Sequence, residues 1–220
     1  MPDLAALPDL AALIAAARHI LPAAVAVAAT DPMQASTPLW PDELLPNAVP
    51  RRLTEFVAGR AAARQALSQL GHPAASIPQG PDRAPIWPIG LNGSITHSAT
   101  HCLAAITRAP QLIGIDLEPA TPLTFNLWDV VLRPAEQATL QGNPNAFMLA
   151  KLFFCAKEAA YKAQYPRSKT LFGFDAIEIT LAENTFTARF TLSVPGFEKG
   201  HALHGRFTEI ENHFLCAVTA

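Results

Sequence analysis

Twenty prolines punctuate these 220 residues, and they constrain the fold more than any other feature of the chain. Each fixes φ and removes a backbone donor, so regular elements must largely fit between them. The stretch "TPLWPDELLPNAVP" (37–50) therefore reads as loop. After it, "RRLTEFVAGRAAARQAL" (51–67) sets Leu53, Phe56, Val57, Ala63 and Leu67 on one apolar helix face, ended by Gly71 and Pro73. Upstream, a short amphipathic helix is expected over 9–20 and a buried strand over 23–29. Residues 78–90 read as loop with at most short strand pieces. "NGSITHSATHCLAAIT" (92–107) reads as a two-stranded hairpin with polar residues 96–101 near its turn, and "LIGIDLE" (112–118) as a strand stopped by Pro119. Helical segments follow over 126–131, 134–141 and 144–164. The tail alternates as antiparallel strands with turns at "EN" and "PG".

A weak internal echo organises these pieces. "HCLAAITR" (101–108) and "HFLCAVTA" (213–220) agree at His, Leu, Ala and Thr, and "FVAGRAAAR" (56–64) can be laid on "FCAKEAAYK" (154–162). Helix followed by strands in both halves points to an α+β fold of two similar lobes, 1–110 and 111–220. A ligand is expected in the cleft between them.

Composition narrows the function. Half of the residues are hydrophobic, which excludes general disorder, and a net charge of −2 argues against a general nucleic-acid binder. Cys102, Cys155 and Cys216 form no CxxC pair, so no disulfide framework or zinc site is expected and a reduced cytoplasmic setting is. The Ala- and Leu-rich beginning carries Asp3 and Asp9 and no basic residue before its apolar run, unlike a secretory leader. Pro8, Arg18, His19 and Pro22 interrupt it too often for a membrane span.

Against this apolar background the charged motifs stand out. Asp116 and Glu118 lie two apart on a strand, so both project from one face while Ile115 and Leu117 turn to the core. Paired carboxylates raise each other's pKa unless a cation joins them, and oxygen ligands at this spacing suit Mg²⁺. The plain alternative is a solvated strand end. Glu158 and Lys162 are four apart on a helix and share a face, with Lys157 one step around. By themselves they describe an exposed ion pair; beside Asp116 and Glu118 they describe a third carboxylate and two bases near a metal-bound phosphate. Arg51, Arg52, Arg60 and Arg64 crowd one helix, either as a solvated face or as a phosphate clamp. His97 lies in "NGSITHS"; its spacing to His101 does not match a zinc-protease motif. No P-loop or dinucleotide-binding glycine motif is present.

"GIDLE" followed some forty residues later by "FCAKEAAYK" resembles the paired signature of 4′-phosphopantetheinyl transferases. "RRLTEFVAGRAAARQAL", "RAPIWP" and "NGSITHS" resemble the enterobactin synthetase component D branch. The resemblance implies two pseudo-two-fold-related lobes, each a small antiparallel sheet with helices, holding coenzyme A between them. It implies an enzyme that moves the phosphopantetheine arm of coenzyme A to a serine of an acyl or peptidyl carrier protein, in siderophore or other secondary metabolism. Carried over by motif position, Asp116, Glu118 and Glu158 would hold Mg²⁺. Arg52 and Arg60 would clamp the 3′-phosphate, Arg83 the nucleotide end, and His97, Lys157 and Lys162 would touch phosphates. Glu158 would act as general base and Lys162 would serve the leaving group. Two lobes in one chain make a monomer sufficient. The competing expectations are a coenzyme A-binding module without turnover and an unrelated Mg²⁺-dependent phosphohydrolase.

Overall fold

A computed structural model describes residues 9–34 and 37–220. Asp3 and Pro8, two of the residues read against a leader or a span, lie outside that range. Three layers of buried side chains hold the fold together, and the sheets between them are built from short antiparallel strands. Helix α1 (Leu10–Ile20) begins at Asp9, whose carboxylate accepts from Ala12 N at 2.9 Å, a side-chain N-cap. Strands β1 (Ala26–Thr30), β2 (Leu91–His97) and β3 (Cys102–Arg108) form the first sheet in the order β1-β3-β2. Helix α2 (Pro50–Gln69) covers one face with Ala62, Ala63, Ala66 and Leu67.

The second sheet has the order β4-β8-β7-β6-β5, from β4 (Ile113–Pro119), β5 (Ile177–Leu181), β6 (Thr185–Phe190), β7 (Ala202–Ile210) and β8 (His213–Thr219). The short α3 (Trp128–Val131) and α4 (Pro134–Leu140) lead into α5 (Ala146–Ser168), which packs across β4 and β8. The α+β architecture with two antiparallel sheets is the one expected. Boundaries differ at two places: β1 starts at Ala26 where 23 is expected, and α5 runs through Pro166 to a left-handed cap at Lys169 where the expected helix stops at 164. Pro166 is one turn from the end, so the interruption it imposes falls where the helix is already finishing.

Strand alternation divides the core. In β3, Ala104 and Ile106 face α2 while Leu103 and Ala105 face the other sheet. In β4, Ile113, Ile115 and Leu117 join that shared middle layer together with Leu215 and Ala217 of β8 and with Leu13, Ala17 and Ile20 of α1. The opposite face of β8, Cys216 and Val218, packs under α5. The two lobes thus share one apolar layer.

The seam between the sheets is made differently. β2 and β4 are the facing edges, yet they join through hydroxyls: Ser94 Oγ accepts from Ile115 N at 3.0 Å and Thr96 Oγ1 accepts from Leu117 N at 2.9 Å. Side chains standing in for a backbone ladder keep the strands apart and leave a cleft beside them.

Gly114 fixes how close α5 comes. A Cβ there would lie 2.0 Å from Ala159 O and 2.4 Å from Ala163 N. The helix meets it with Ala156, Ala159, Ala160 and Ala163, all fully buried. Small residues on both elements let the backbones approach and bring the acidic strand and the charged helix face together.

Candidate active site

Asp116 stands at the centre of the cleft and is 4% exposed. Its Oδ1 accepts from Lys162 Nζ at 2.6 Å and from Thr96 Oγ1 at 3.2 Å. Its Oδ2 is buried with no hydrogen-bond partner among the described residues. Glu118, on the same strand face, accepts from Lys151 Nζ at 2.7 Å. Glu158 reaches in from α5, and its carboxyl pKa is raised by burial, then by Asp116 and Glu118, against the opposing pull of Lys162. Burial opposes the charge of Lys162, but Asp116 and Glu158 outweigh it and its pKa is raised.

The opposite wall comes from α2 and β2. Arg52 Nη1 lies 2.7 Å from His97 Nε2 and 3.3 Å from Glu55 Oε2. A guanidinium can only donate, so Nε2 must be the accepting nitrogen and the ring is neutral. The His97 pKa is accordingly lowered, by burial first and with Arg52 and Lys162 adding to it against Glu55 and Asp116. Arg60 is 6% exposed, donates Nε–H to Ile77 O at 2.7 Å and lies over the Phe56 ring at 3.9 Å. Burial is the largest influence on it, and its pKa falls to about 10. Arg83 has a positive φ of 65° and lines the same cleft from the 78–90 loop.

Arg52, Arg60, Arg83, His97, Asp116, Glu118, Glu158 and Lys162 therefore all border one cavity of about 300 Å³. It shares Arg83, Pro85, Ile95 and Lys162 with a larger, more apolar cavity of about 640 Å³ that Trp87, Tyr161 and Tyr165 also line. Arg52, Arg60, Arg83 and Lys162 share this cavity with four carboxylates, Glu55, Asp116, Glu118 and Glu158, which suits a bound anion, with an apolar extension beside it.

Lys157 is the exception and is corrected here. Its amine lies on the far side of α5, 2% exposed, donating to Val131 O at 2.8 Å and Phe174 O at 2.9 Å. It pairs with buried Glu136 at 2.7 Å. One step around a helix is about 100°, which carries the side chain out of the cleft and into the packing against α4.

Three site residues escaped the sequence reading. Glu55 holds Arg51, Arg52 and His97 together; its spacing of three and four from the arginines was the available signal. Lys151 lies two helical turns before Glu158, on the same face. Thr96 sat in the motif with no role assigned. The three cysteines are buried and unpaired, as expected, and burial pushes the Cys102 thiol up to about 12.

The carboxylates fit Mg²⁺ in a particular way. Among the described residues no group of three His, Cys, Asp or Glu side chains is placed to hold a metal ion. Mg²⁺ normally takes one or two carboxylates and completes its shell with water and substrate phosphates. The unpartnered Oδ2 of Asp116 is an oxygen donor that fits a partial site of this kind.

Comparison with known proteins agrees with the geometry. Residues 40–107 match the model of the 4′-phosphopantetheinyl transferase N-terminal domain, and residues 112–219 that of the 4′-phosphopantetheinyl transferase superfamily. The chain is 40% identical over 161 residues to 4′-phosphopantetheinyl transferase PptT of Mycobacterium tuberculosis, covering 70% of each chain. The chain belongs to the 4′-phosphopantetheinyl transferase superfamily. A further relative is 4′-phosphopantetheinyl transferase Npt of Nocardia iowensis, 39% identical over 63% of this chain and 64% of its own. Enterobactin synthase component D of Salmonella typhimurium is 43% identical over 59% of this chain and 55% of its own. No helix among the described residues is long and apolar enough to cross a membrane.

Proposed function

We propose that this chain transfers the 4′-phosphopantetheine arm of coenzyme A to a serine of an acyl or peptidyl carrier protein, releasing adenosine 3′,5′-bisphosphate. The observation that carries this reading is the cleft itself: Arg52, Arg60, Arg83 and His97 on one wall, Asp116, Glu118, Glu158 and Lys162 on the other. Residues 1–110 act as the nucleotide clamp and 111–220 as the lobe of the metal site and catalytic helix.

Arg52 and Arg60 hold the 3′-phosphate, where the planar guanidinium fits phosphate oxygens in pairs. His97, neutral with Nε2 accepting from Arg52 and Nδ1 3.6 Å from Glu55 Oε2, lies beside the phosphates and would turn from Glu55 to donate to them. Asp116, Glu118 and Glu158 would hold Mg²⁺, which when bound neutralises charge on the pyrophosphate. Glu158 takes the proton of the carrier serine hydroxyl, directly or through water, as oxygen attacks the phosphorus of the arm. The bond to the nucleotide phosphate breaks as the new P–O bond forms. Lys162 stabilises the departing phosphate oxygen and can give it a proton from Nζ. Relatives named enterobactin synthase component D support carriers of siderophore assembly as the acceptor class.

Intact mass spectrometry of an apo carrier protein incubated with this chain and coenzyme A tests the reading. A gain of one phosphopantetheine mass, with Mg²⁺ and not without it, is expected. Coenzyme A binding with no gain on several carriers would show a binding module without turnover. Coenzyme A cleavage without any acceptor would show a phosphohydrolase.

A further inference from the structure

We propose that Thr96 is a positioning residue for the metal-binding carboxylate, orienting Asp116 so that one oxygen faces the cleft unpaired. The proposal rests on the Mg²⁺ reading above and extends it to a residue outside the proposed ligand set.

The hydrogen-bond inventory of Thr96 leaves it little freedom. Its side chain is buried at 2% exposure on β2. Its Oγ1 accepts from Leu117 N at 2.9 Å, so its single proton is free to go to Asp116 Oδ1 at 3.2 Å. A β-branched side chain is also stiff at χ1, which fixes the hydroxyl on the strand. Lys162 Nζ reaches the same Oδ1 at 2.6 Å. Two donors converge on one oxygen of Asp116, and Oδ2 is left buried and unpartnered among the described residues. A carboxylate able to rotate would exchange its two oxygens; here a hydroxyl tethered to the backbone of the neighbouring residue on the same strand as Asp116 opposes that rotation.

The strand contains its own control. Ser94, two residues earlier on the same face, also accepts a β4 amide, Ile115 N at 3.0 Å. Among the described residues its only other side-chain hydrogen bond is to the Ile115 carbonyl at 3.5 Å, with no carboxylate involved. Removing the hydroxyl of Ser94 or Thr96 deprives the seam of one acceptor, but only Thr96 also supports Asp116. Partners that orient ligating carboxylates commonly change metal affinity by about 10–100-fold when lost.

The test uses Mn²⁺ as the probe, measured by the loss of its free electron paramagnetic resonance signal on the whole chain with saturating coenzyme A and no carrier present. Wild type, Thr96→Val, Thr96→Ser and Ser94→Ala are compared, with a melting temperature for each. Thr96→Val is expected to bind Mn²⁺ about tenfold or more weakly, and Thr96→Ser to bind close to wild type. Ser94→Ala should melt lower than wild type and keep its Mn²⁺ affinity. Wild-type affinity in Thr96→Val would overturn the proposal, as would an equal loss in Ser94→Ala, which would mean only a loosened seam. Failure of the wild type itself to bind Mn²⁺ would instead remove the metal reading on which the proposal stands.

Discussion

Lys162 Nζ lies 2.6 Å from Asp116 Oδ1, joining α5 to the acidic strand β4 across 46 residues of sequence. The pair is partly open, the lysine side chain being 28% exposed and the aspartate 5%. Replacing Lys162 by Met leaves Asp116 and Glu158 facing each other without their cation. Carrier labelling is expected to fall by about 10²–10³, the range for loss of a group that stabilises developing charge. Steady-state labelling, with coenzyme A binding followed in parallel, checks this; a variant that binds coenzyme A and labels normally would remove Lys162 from the chemistry.

Lys157 should behave in the opposite manner. It and Glu136 are 2% and 1% exposed, and truncating one partner leaves a buried charge alone. Lys157→Met is expected to cost about 3–5 kcal/mol in stability. Adding Glu136→Gln should recover part of that by removing the lone buried charge: the amide oxygen still accepts from Ile179 N, as Oε1 does at 2.6 Å, but its NH2 cannot replace Oε2 as the acceptor of Arg133 N. Urea denaturation of the single and double variants measures both. The KM for coenzyme A of the folded fraction should not change; an increase would return Lys157 to the phosphate site.

The contrast between these two lysines shows where the sequence was legible. Strand alternation in "GIDLE" and the four-residue spacing of Glu158 and Lys162 are local rules, and the cleft contains them as those rules require. The partner of Lys157 is a glutamate on another helix, which no local spacing reveals; helical angle alone gave the warning. The order of the second sheet was equally hidden. β4 pairs with β8 from the far end of the chain, Asp116 opposite Cys216, with all of α3 to α5 between them. Likewise, a lone Gly in an apolar strand gives no sign of what approaches it. Prolines act as breakers, and Pro166 is tolerated because it falls in the last turn of α5.

Gly114→Ala tests the closeness of α5. The added methyl would meet Ala159 O at 2.0 Å, backbone that cannot swing aside. Overpacking of this kind costs about 1–3 kcal/mol or more. Helix α5 must also shift, moving Glu158 and Lys162 from Asp116. Labelling should therefore fall even in molecules that remain folded, seen as a lower kcat below the melting transition. The reverse change at the other end of the contact, Ala163→Gly in the Gly114→Ala background, should not rescue, because the nearest clash is with a main-chain oxygen.

The final prediction concerns acid. His101 immediately precedes β3 and His213 opens β8, and their rings meet edge-on at 5.0 Å with 71° between planes. His101 is 3% exposed; Nδ1 pairs with Thr100 Oγ1 at 2.8 Å, and Nε2 has no partner among the described residues. Burial, then the neighbouring His213, lowers its pKa from the ordinary 6.5, while Glu211 and Asp31 pull the other way without restoring it. In the folded chain the neutral ring is thus favoured, and the unfolded chain takes up the proton first as pH falls. The contribution of His101 is therefore complete above 6.5 and is lost as pH drops from there toward the lowered folded value. His97, also lowered, acts in the same direction. His101→Gln should flatten the acid limb of stability against pH by up to one proton, about 1.4 kcal/mol per pH unit. The slope is the decisive quantity, because the substitution also alters packing at every pH. Melting curves across the acid limb for both proteins measure it, and identical slopes would mean that His101 is not the group taking up the proton.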